Sequence, residues 1–170
     1  MKLTTGVEQA ICIIVLLSTQ DSRSPLASDE ISKKLDVSPS YLKKIIRKLV
    51  VKQIVTSVSG NNGGISLAKE PQYITALDII EAMEGPISIF SDSGLIAKVF
   101  KDGKYSKKGT ATLLSVFDGA NHLLRDYFSK ITTADLLKEI MEQSGLPELD
   151  WNTTSLADFL KKEMKHDENA

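Results

Sequence analysis

Basic side chains are concentrated in one short stretch of the chain, SPSYLKKIIRKL at 38–49. A helix advances by about 100° per residue, so the apolar residues of this stretch would share one side. These residues are Leu42, Ile45, Ile46 and Leu49. The opposite side would carry Ser40, Lys43, Lys44 and Arg47. The pattern predicts a helix that packs in a core on one face and meets an anion on the other.

The charge of the whole chain is unevenly distributed. The net charge is −1, but residues 1–75 carry ten Lys and Arg against six Asp and Glu, whereas residues 76–170 carry eleven against sixteen. Within 33–52, seven basic residues stand against Asp36 alone. This local excess indicates a binding site for a polyanion. A solvated helix face is the alternative interpretation of any such run taken alone.

Composition predicts a globular protein with one domain, or one small domain with an appendage. The chain has 170 residues, of which 42% are hydrophobic and 25% charged. Its single cysteine excludes an internal disulfide framework and a zinc site built from several thiolates, so we expect a cytoplasmic protein. The run AICIIVLL at 10–17 is too short to span a bilayer, which needs about 20 residues. We expect a buried helix there from Thr5 to about Ser18, with Cys12 in the core rather than acting as a redox sensor.

Two short helices are expected to position the basic face. Ser28 would cap a helix that ends near Leu35, and Ser38-Pro39 is typical of the cap and first residue of the next helix. About three residues would join the two helices, which is the pattern of a helix-turn-helix, whose second helix enters the major groove of DNA. In that groove Arg47 would contact guanine and the lysines would contact phosphates.

A β-hairpin is predicted directly after the basic helix. Two β-rich runs, 54–58 and 65–67, flank a loop of residues that tolerate positive φ: Gly60, Asn61, Asn62, Gly63 and Gly64. In this position the hairpin is typical of the wing of a winged helix, with the two asparagines entering a minor groove. An ordinary surface hairpin is the alternative.

The second half of the chain is predicted to be helical. Thr75 would cap a helix at Ala76–Glu84, and 87–109 is expected to be irregular. Between 110 and 131 the apolar residues have heptad spacing: Leu113, Phe117, Ala120, Leu124, Tyr127 and Ile131. Such a stripe needs a partner helix, which we expect to come from a second copy that reads a palindromic DNA site. Packing on the N-terminal domain is the alternative. Two short Thr-capped helices are expected at 132–140 and 153–163.

Catalytic and metal-binding patterns are not found in the sequence. His122 and His166 have no Cys or His neighbour at ligand spacing, so we expect no metal site. The sequence contains no Gly-rich phosphate loop before a helix, no nucleophile elbow and no carboxylate pair in a plausible cleft. We therefore expect that the protein is not an enzyme.

Four phrases of the sequence resemble a known family. They are MKLTT at 1–5, ISKKLDVSPSYLKKIIRKL at 31–49, GNNGGISLAKEP at 60–71 and ITALDIIEAMEGP at 74–86. Together they resemble the Rrf-two (Rrf2) family of bacterial winged-helix transcription regulators, the IscR, NsrR and CymR type. The resemblance covers residues 1 to about 90 well and 110–131 moderately.

The resemblance implies a mainly α fold with a small β-hairpin wing. A winged helix-turn-helix DNA-binding domain would occupy 1–86, an effector-type loop 87–109, a long dimerisation helix 110–131, and short helices and a tail 132–170. The implied function is sequence-specific control of transcription, often repression, by a homodimer on double-stranded DNA. The residues implied to contact DNA are Ser38, Ser40, Tyr41, Lys43, Lys44 and Arg47 on the recognition helix and Gly60, Asn61, Asn62, Gly63 and Gly64 on the wing.

The sequence departs from the family pattern in two places. Many members hold an iron–sulfur cluster with three cysteines in the loop before the long helix, but 88–109 contains no cysteine, so we expect no cofactor. No Lys or Arg lies between 53 and 68, so the wing should attract phosphate weakly. The recognition helix, Lys33, Lys34 and Lys2 are expected to contribute instead. The uncharged wing also allows an alternative function, a winged-helix module for protein interaction that has lost DNA binding. A small molecule or a protein is expected as the effector, if there is one.

Overall fold

A computed structural model of the protein describes residues 2–21, 23–60, 63–101, 103–141 and 149–155. Within these ranges the chain forms seven α-helices, two β-strands and one turn of 3-10 helix at Pro71–Tyr73. The helices are α1 (Thr5–Ser18), α2 (Ser28–Leu35), α3 (Pro39–Val51), α4 (Ala76–Glu84), α5 (Leu95–Val99), α6 (Gly103–Ser129) and α7 (Thr133–Met141). The strands are β1 (Val55–Val58) and β2 (Gly64–Leu67). The predicted fold class, mainly α with a small hairpin, is confirmed.

Helix caps recognised in the sequence define the starts of α3 and α4. The predicted cap of α2 is wrong, because Ala27 is the N-cap residue and Ser28 is the first residue of the helix. Ser38 Oγ accepts a 3.3 Å hydrogen bond from the Tyr41 amide, and Pro39 is the first residue of α3. Thr75 and Asp78 form a reciprocal capping box at the start of α4, with both hydrogen bonds at 3.1 Å. Each cap satisfies backbone N–H groups that have no partner inside the helix. The predicted starts of α3 and α4 are therefore confirmed.

A tight turn joins α2 to α3. Asp36 adopts a left-handed conformation with φ 51° and ψ 49°, which a short polar side chain tolerates better than most. The Val37 amide donates to the Ser32 carbonyl at 3.1 Å and so closes the turn. The orientation of α3 is consequently fixed by that of α2.

The core lies between α1, α3, α4 and the hairpin. Four side chains of α3 are buried in it, as their helical spacing predicted: Leu42, Ile45, Ile46 and Leu49. Burial of an aliphatic side chain of this size contributes about 1.5–3 kcal/mol. This apolar face holds α3 in place and leaves its opposite face at the surface.

The prediction that Cys12 is a core residue is wrong, because the structure places Cys12 at the surface. Helix α1 has the expected bounds but buries only one of its sides, with Val7, Ala10, Ile13, Ile14 and Leu17. Ile11 lies next to Cys12 and is also exposed. An apolar run of eight residues makes more than two turns at about 3.6 residues per turn, so its residues cannot all face one core.

The hairpin is antiparallel and begins and ends as predicted to within one residue. Val55 pairs with Leu67, and Val58 pairs with Gly64. The Leu26 amide donates to the Ile65 carbonyl at 2.9 Å, and this hydrogen bond connects β2 to the segment before α2. A Cβ atom on Gly64 would lie 2.6 Å from the Leu26 carbonyl oxygen, so this close approach requires glycine.

The long helix begins earlier than the sequence suggested. Residues 87–109 were expected to be irregular, but α5 occupies Leu95–Val99 and α6 starts at Gly103. Glycine disfavours a helix interior by about 1 kcal/mol relative to alanine, and Gly103 and Gly109 made the sequence look irregular here. In the structure Gly109 lies against Ile96, so contacts between α5 and α6 support the helix at this point.

Helix α7 confirms the first of the two Thr-capped helices. Asp135 Oδ2 accepts from the Thr132 amide at 2.9 Å, and Thr132 Oγ1 accepts from the Asp135 amide at 3.1 Å. The Thr132 hydroxyl also donates to Asp135 Oδ2, at 2.6 Å, and this hydrogen bond together with the one from the Thr132 amide holds the pKa of Asp135 below its usual value. The second expected helix falls mostly on 156–170, which lies outside the described residues. No helix in the described ranges has the length and apolar character needed to cross a membrane.

Candidate nucleic-acid interface

Three cations of α3 are presented at the surface. Lys43, Lys44 and Arg47 are exposed, as predicted. Among the described residues none of the three has an ion pair or a side-chain hydrogen bond. The apolar residues between them are buried, so the backbone that carries these charges is held firmly. Their positive charge is therefore available to an anionic partner.

Polar groups surround the N-terminal end of α3. Ser38, Ser40 and Tyr41 are exposed, and the two serine hydroxyl oxygens lie 3.2 Å apart. The N-terminus of a helix carries a partial positive charge, because its first N–H groups point outward. Hydroxyl groups at this position can donate hydrogen bonds to phosphate or to base edges. All six predicted recognition-helix residues are exposed, and we call this set, at the start of α3 and along it, the basic face: Ser38, Ser40, Tyr41, Lys43, Lys44 and Arg47.

Lys48 follows Arg47 in the sequence but has a different environment. Its Nζ donates a 2.6 Å hydrogen bond to the Met83 carbonyl near the C-terminal end of α4. That end of the helix carries a partial negative charge, which favours an ammonium group. Lys48 therefore connects α3 to α4 rather than extending the basic face.

The two basic residues of α2 are also engaged within the chain. Lys33 Nζ lies 2.6 Å from Glu30 Oε1, and the Glu30 carboxylate raises the pKa of Lys33 above its ordinary value. Lys34 Nζ donates to the Thr154 carbonyl at 3.2 Å and lies 5.0 Å from the centre of the Trp151 ring. The charge of Lys33 is compensated locally and Lys34 is held by the C-terminal residues. The expected contribution of these two lysines to DNA binding gains no support from this geometry.

The described part of the wing has a tight backbone. The Gly63 amide donates to the Gly60 carbonyl at 2.9 Å, and Gly60 has φ 119°. A Cβ atom on Gly63 would lie 2.2 Å from the Val58 carbonyl oxygen. Gly60 is therefore required by its positive φ, and Gly63 is required because a Cβ atom has no room there. Asn61 and Asn62, which were predicted to enter a minor groove, lie outside the described residues.

One face of α6 packs against its own chain. Phe117 stacks on Phe90 with ring centres 4.5 Å apart and planes at 11°, and Leu124 packs against the core. Asn121 Oδ1 accepts a 3.1 Å hydrogen bond from the Ile89 amide, and Arg125 forms an ion pair with Glu81 of α4. These contacts fix the long helix to the winged helix.

A second face of α6 is exposed, and we call it the outer stripe. Its residues again follow heptad spacing, with steps of 3, 4, 3 and 4: Leu113, Val116, Ala120, Leu123 and Tyr127. Leu123 is 73% exposed and Val116 is 66% exposed. The predicted stripe therefore separates into two faces, since Phe117 and Leu124 contact their own chain whereas Leu113, Ala120 and Tyr127 lie in the outer stripe. Its last predicted member, Ile131, lies beyond the end of α6 at Ser129. Val116 and Leu123 were missed, although their spacing could have identified them.

The donor groups required for an iron–sulfur cluster are not brought together in the described part of the chain. Such clusters are held by cysteine thiolates, and the whole chain has only Cys12, on the surface of α1. Within the described ranges no three Cys, His, Asp or Glu side chains form a group that could hold a metal ion. The residues present therefore do not fit such a cluster.

Known proteins with similar sequences are transcription regulators. The sequence profile of the Rrf2 family, described as iron-dependent transcriptional regulators, matches residues 3–139. YwgB of Bacillus subtilis, a proposed HTH-type transcriptional regulator, is 32% identical over 165 residues, which are 97% of this chain and 98% of YwgB. The HTH-type transcriptional regulator CymR of the same species is 34% identical over 88 residues, which are 52% of this chain and 64% of CymR.

Solved structures agree with this relationship. CymR (YrzC), described as the global cysteine regulator of B. subtilis, has a TM-score of 0.58 and 25% identity, over 80% of this chain and 95% of CymR. IscR of T. potens has a TM-score of 0.58 and 27% identity, over 85% of this chain and 92% of IscR. These proteins are winged-helix regulators rather than enzymes, and the α3 and hairpin geometry is that of a winged helix. The chain is therefore a member of the Rrf2 family of DNA-binding transcriptional regulators.

Proposed function

We propose that this regulator is a homodimeric repressor that binds a palindromic DNA operator and works without an iron–sulfur cluster. The observation that carries the proposal is the combination, in one chain, of a basic recognition helix and an exposed heptad stripe. The basic face would bind one half-site, and the outer stripe would join two chains. The cytoplasm is the compartment that such a protein requires.

Each group on the basic face has a distinct task in this proposal. Arg47 is the residue of α3 suited to sequence recognition, because a guanidinium group can form two hydrogen bonds with guanine in the major groove. Lys43 and Lys44 are suited to phosphates, which set the register of the protein on DNA. Ser38, Ser40 and Tyr41 lie at the end of α3 that enters the groove first.

The dimer is supported by the outer stripe of α6. An exposed apolar stripe with heptad spacing on a 27-residue helix is typical of a surface that packs against another helix. A second copy of the same helix would be related by a two-fold axis, and two recognition helices would then face the same side of DNA. Such a pair matches half-sites about 34 Å apart, one helical turn of DNA.

Repression follows from occupancy alone, because a dimer bound over a promoter excludes other proteins from that site. An iron–sulfur cluster has no role in this function, since Cys12 is the sole thiol of the chain. Purified protein should therefore bind its operator with equal affinity before and after treatment with an iron chelator. A loss of binding on chelation would contradict the cluster-independent part of the proposal.

Selection of bound fragments from a random library of DNA duplexes tests the whole proposal. We expect the full-length protein to enrich an inverted repeat whose half-sites are one helical turn apart. Enrichment of a single half-site would contradict the dimer, and no enrichment would favour the alternative, a winged-helix module that binds protein rather than DNA. A variant with the paired changes Lys44→Ala and Arg47→Ala should enrich no sequence. The variant Lys107→Ala with Lys108→Ala is the matched control for charge, because these exposed lysines lie on α6.

A further inference from the structure

A segment beyond the family-matched region packs on the helix-turn-helix. The family profile ends at residue 139. Residues 149–155, which we call the C-terminal strap, contact the chain just after α1 and both ends of α2. The strap is joined to the chain after α1 by main-chain hydrogen bonds. The Leu149 amide donates to the Thr19 carbonyl at 2.8 Å, and the Asp21 amide donates to the Leu149 carbonyl at 2.8 Å.

Trp151 is the centre of this contact. It is 8% exposed and belongs to the hydrophobic core. Its indole Nε1 donates to Thr19 Oγ1 at 2.8 Å, and its amide donates to Gln20 Oε1 at 2.9 Å. Thr19 and Gln20 are themselves buried, so these hydrogen bonds satisfy polar groups that have little access to water.

Asn152 holds the start of α2. The residue before α2 is Ala27, which has no side-chain oxygen to cap the helix. Asn152 Oδ1 accepts a 2.9 Å hydrogen bond from the Ala27 amide, and Asn152 Nδ2 donates to the Pro25 carbonyl at 3.2 Å. A residue 125 positions away in the sequence thus stabilises the chain entering α2.

The strap also holds the end of α2, through Lys34. The Thr154 carbonyl accepts from Lys34 Nζ, and the Trp151 ring lies beneath the same ammonium group. Two residues after Lys34, the left-handed turn at Asp36 leads into α3. The orientation of α2 is therefore transmitted directly to the recognition helix.

We infer that Trp151 and Asn152 are positioning residues for DNA recognition, which act by fixing α2 and, through the turn at Asp36, the orientation of α3. The strap itself carries Asp150 and no cation, so it offers no phosphate contact of its own. Its loss should change how well the recognition helix fits base edges and should leave electrostatic attraction to DNA unchanged. This inference depends on the sequence-specific binding proposed above.

The test uses Trp151→Ala and Asn152→Ala in the full-length chain. Affinity is measured over a range of salt concentrations for two probes, the duplex selected by the wild-type protein and a random duplex. We expect affinity for the selected duplex to fall about tenfold, the effect of losing one base contact, with random-duplex affinity and salt slope unchanged. Tyr73→Ala removes an aromatic ring that is 64% exposed on the same domain, and this control should retain wild-type affinity for both probes.

Trp151 is the single tryptophan of the chain, so its fluorescence reports whether the strap is bound. Release of the strap in Asn152→Ala should shift the emission to longer wavelength. If Trp151→Ala does not fold, Asn152→Ala and Trp151→Phe decide the question, because both keep most of the core. A released strap with unchanged or increased affinity for the selected duplex would overturn the inference. If the wild-type protein selects no duplex, the proposed function fails and this inference fails with it.

Discussion

Lys48 Nζ and the Met83 carbonyl oxygen are 2.6 Å apart, and this hydrogen bond connects the recognition helix to α4. Arg47, the preceding residue, is exposed and has no such partner among the described residues. Two consecutive cations of α3 therefore have different roles. Arg47 is available to DNA, whereas Lys48 stabilises the position of the helix.

Substitution of these two residues should separate recognition from stability. Arg47→Ala should lower affinity for the selected operator by about 1–3 kcal/mol for each half-site, the value of a bidentate contact with a base, and should leave affinity for random DNA nearly unchanged. Lys48→Ala should lower the free energy of unfolding by about 1.5–3 kcal/mol, because it removes a hydrogen bond from a charged group. Binding titrations on both duplexes and chemical denaturation measure the two effects. Equal losses of sequence discrimination in the two variants would refute these roles.

A charge in the outer stripe of α6 should prevent dimerisation. Leu123 is 73% exposed in the single chain and lies within the proposed interface. Leu123→Glu would place a carboxylate in that apolar interface. We expect this variant to be a folded monomer at concentrations where the wild-type protein is a dimer, as measured by sedimentation. Ser115→Glu is the matched control, because Ser115 is exposed on a different side of α6 and should leave the dimer intact. A dimeric Leu123→Glu protein would show that another surface joins the chains.

A methyl group on Gly64 should destabilise the hairpin. The new Cβ would lie 2.6 Å from the Leu26 carbonyl oxygen, so the backbone must move, at a cost of about 1–3 kcal/mol. Gly109→Ala is the comparison, because its Cβ would lie at an ordinary 3.7 Å from Ile96 within a helix. That substitution should stabilise the protein by about 0.5–1 kcal/mol. Thermal unfolding of both variants measures the difference, and similar shifts in Tm would contradict the packing described for Gly64.

Acid should weaken the start of α4. Partial burial of Asp78 favours its neutral form, but hydrogen bonds from Thr75 and Lys69 outweigh this effect and hold the pKa of Asp78 below its ordinary 3.8. The Asp78 carboxyl therefore binds a proton more readily in the unfolded chain than in the folded chain. The stabilisation that the carboxylate gives the folded protein is complete above the ordinary pKa, and it is lost as the pH falls through the lower pKa of the folded protein. The free energy of unfolding of Asp78→Asn should therefore lie below that of the wild-type protein at neutral pH and approach it below about pH 4. A difference between Asp78→Asn and the wild-type protein that does not change with pH would contradict this account.

Local sequence signals predicted the elements that carry the site. The starts of α3 and α4 depend on caps formed within three residues, such as Thr75 with Asp78, and these caps are readable directly from the sequence. The basic face followed from helical spacing, because apolar and charged residues of α3 alternate with the period of one helix. The prediction that Cys12 is buried was wrong because the apolar run at 10–17 covers more than one side of α1, and only one side faces the core.

Contacts between distant residues could not be predicted in the same way. The sequence gives no indication that Lys34 meets Thr154, or that Asn152 bonds to the Ala27 amide, because these pairs form only after the chain has folded. The apolar residues of α6 also occupy two neighbouring faces, and spacing alone did not show which face contacts its own chain. The stacking of Phe117 on Phe90 decides this question, and it depends on the path of the preceding loop.

The salt dependence of DNA binding tests most directly the central claim that the basic face of α3 meets DNA phosphates. Each phosphate contact contributes about 0.9 to the slope of log K against log salt concentration. The variant Lys43→Ala with Lys44→Ala removes two contacts from each chain of the proposed dimer and should therefore lower the slope by about 3.6, whereas Lys107→Ala with Lys108→Ala should leave it unchanged. An equal slope in the two paired variants would contradict the account.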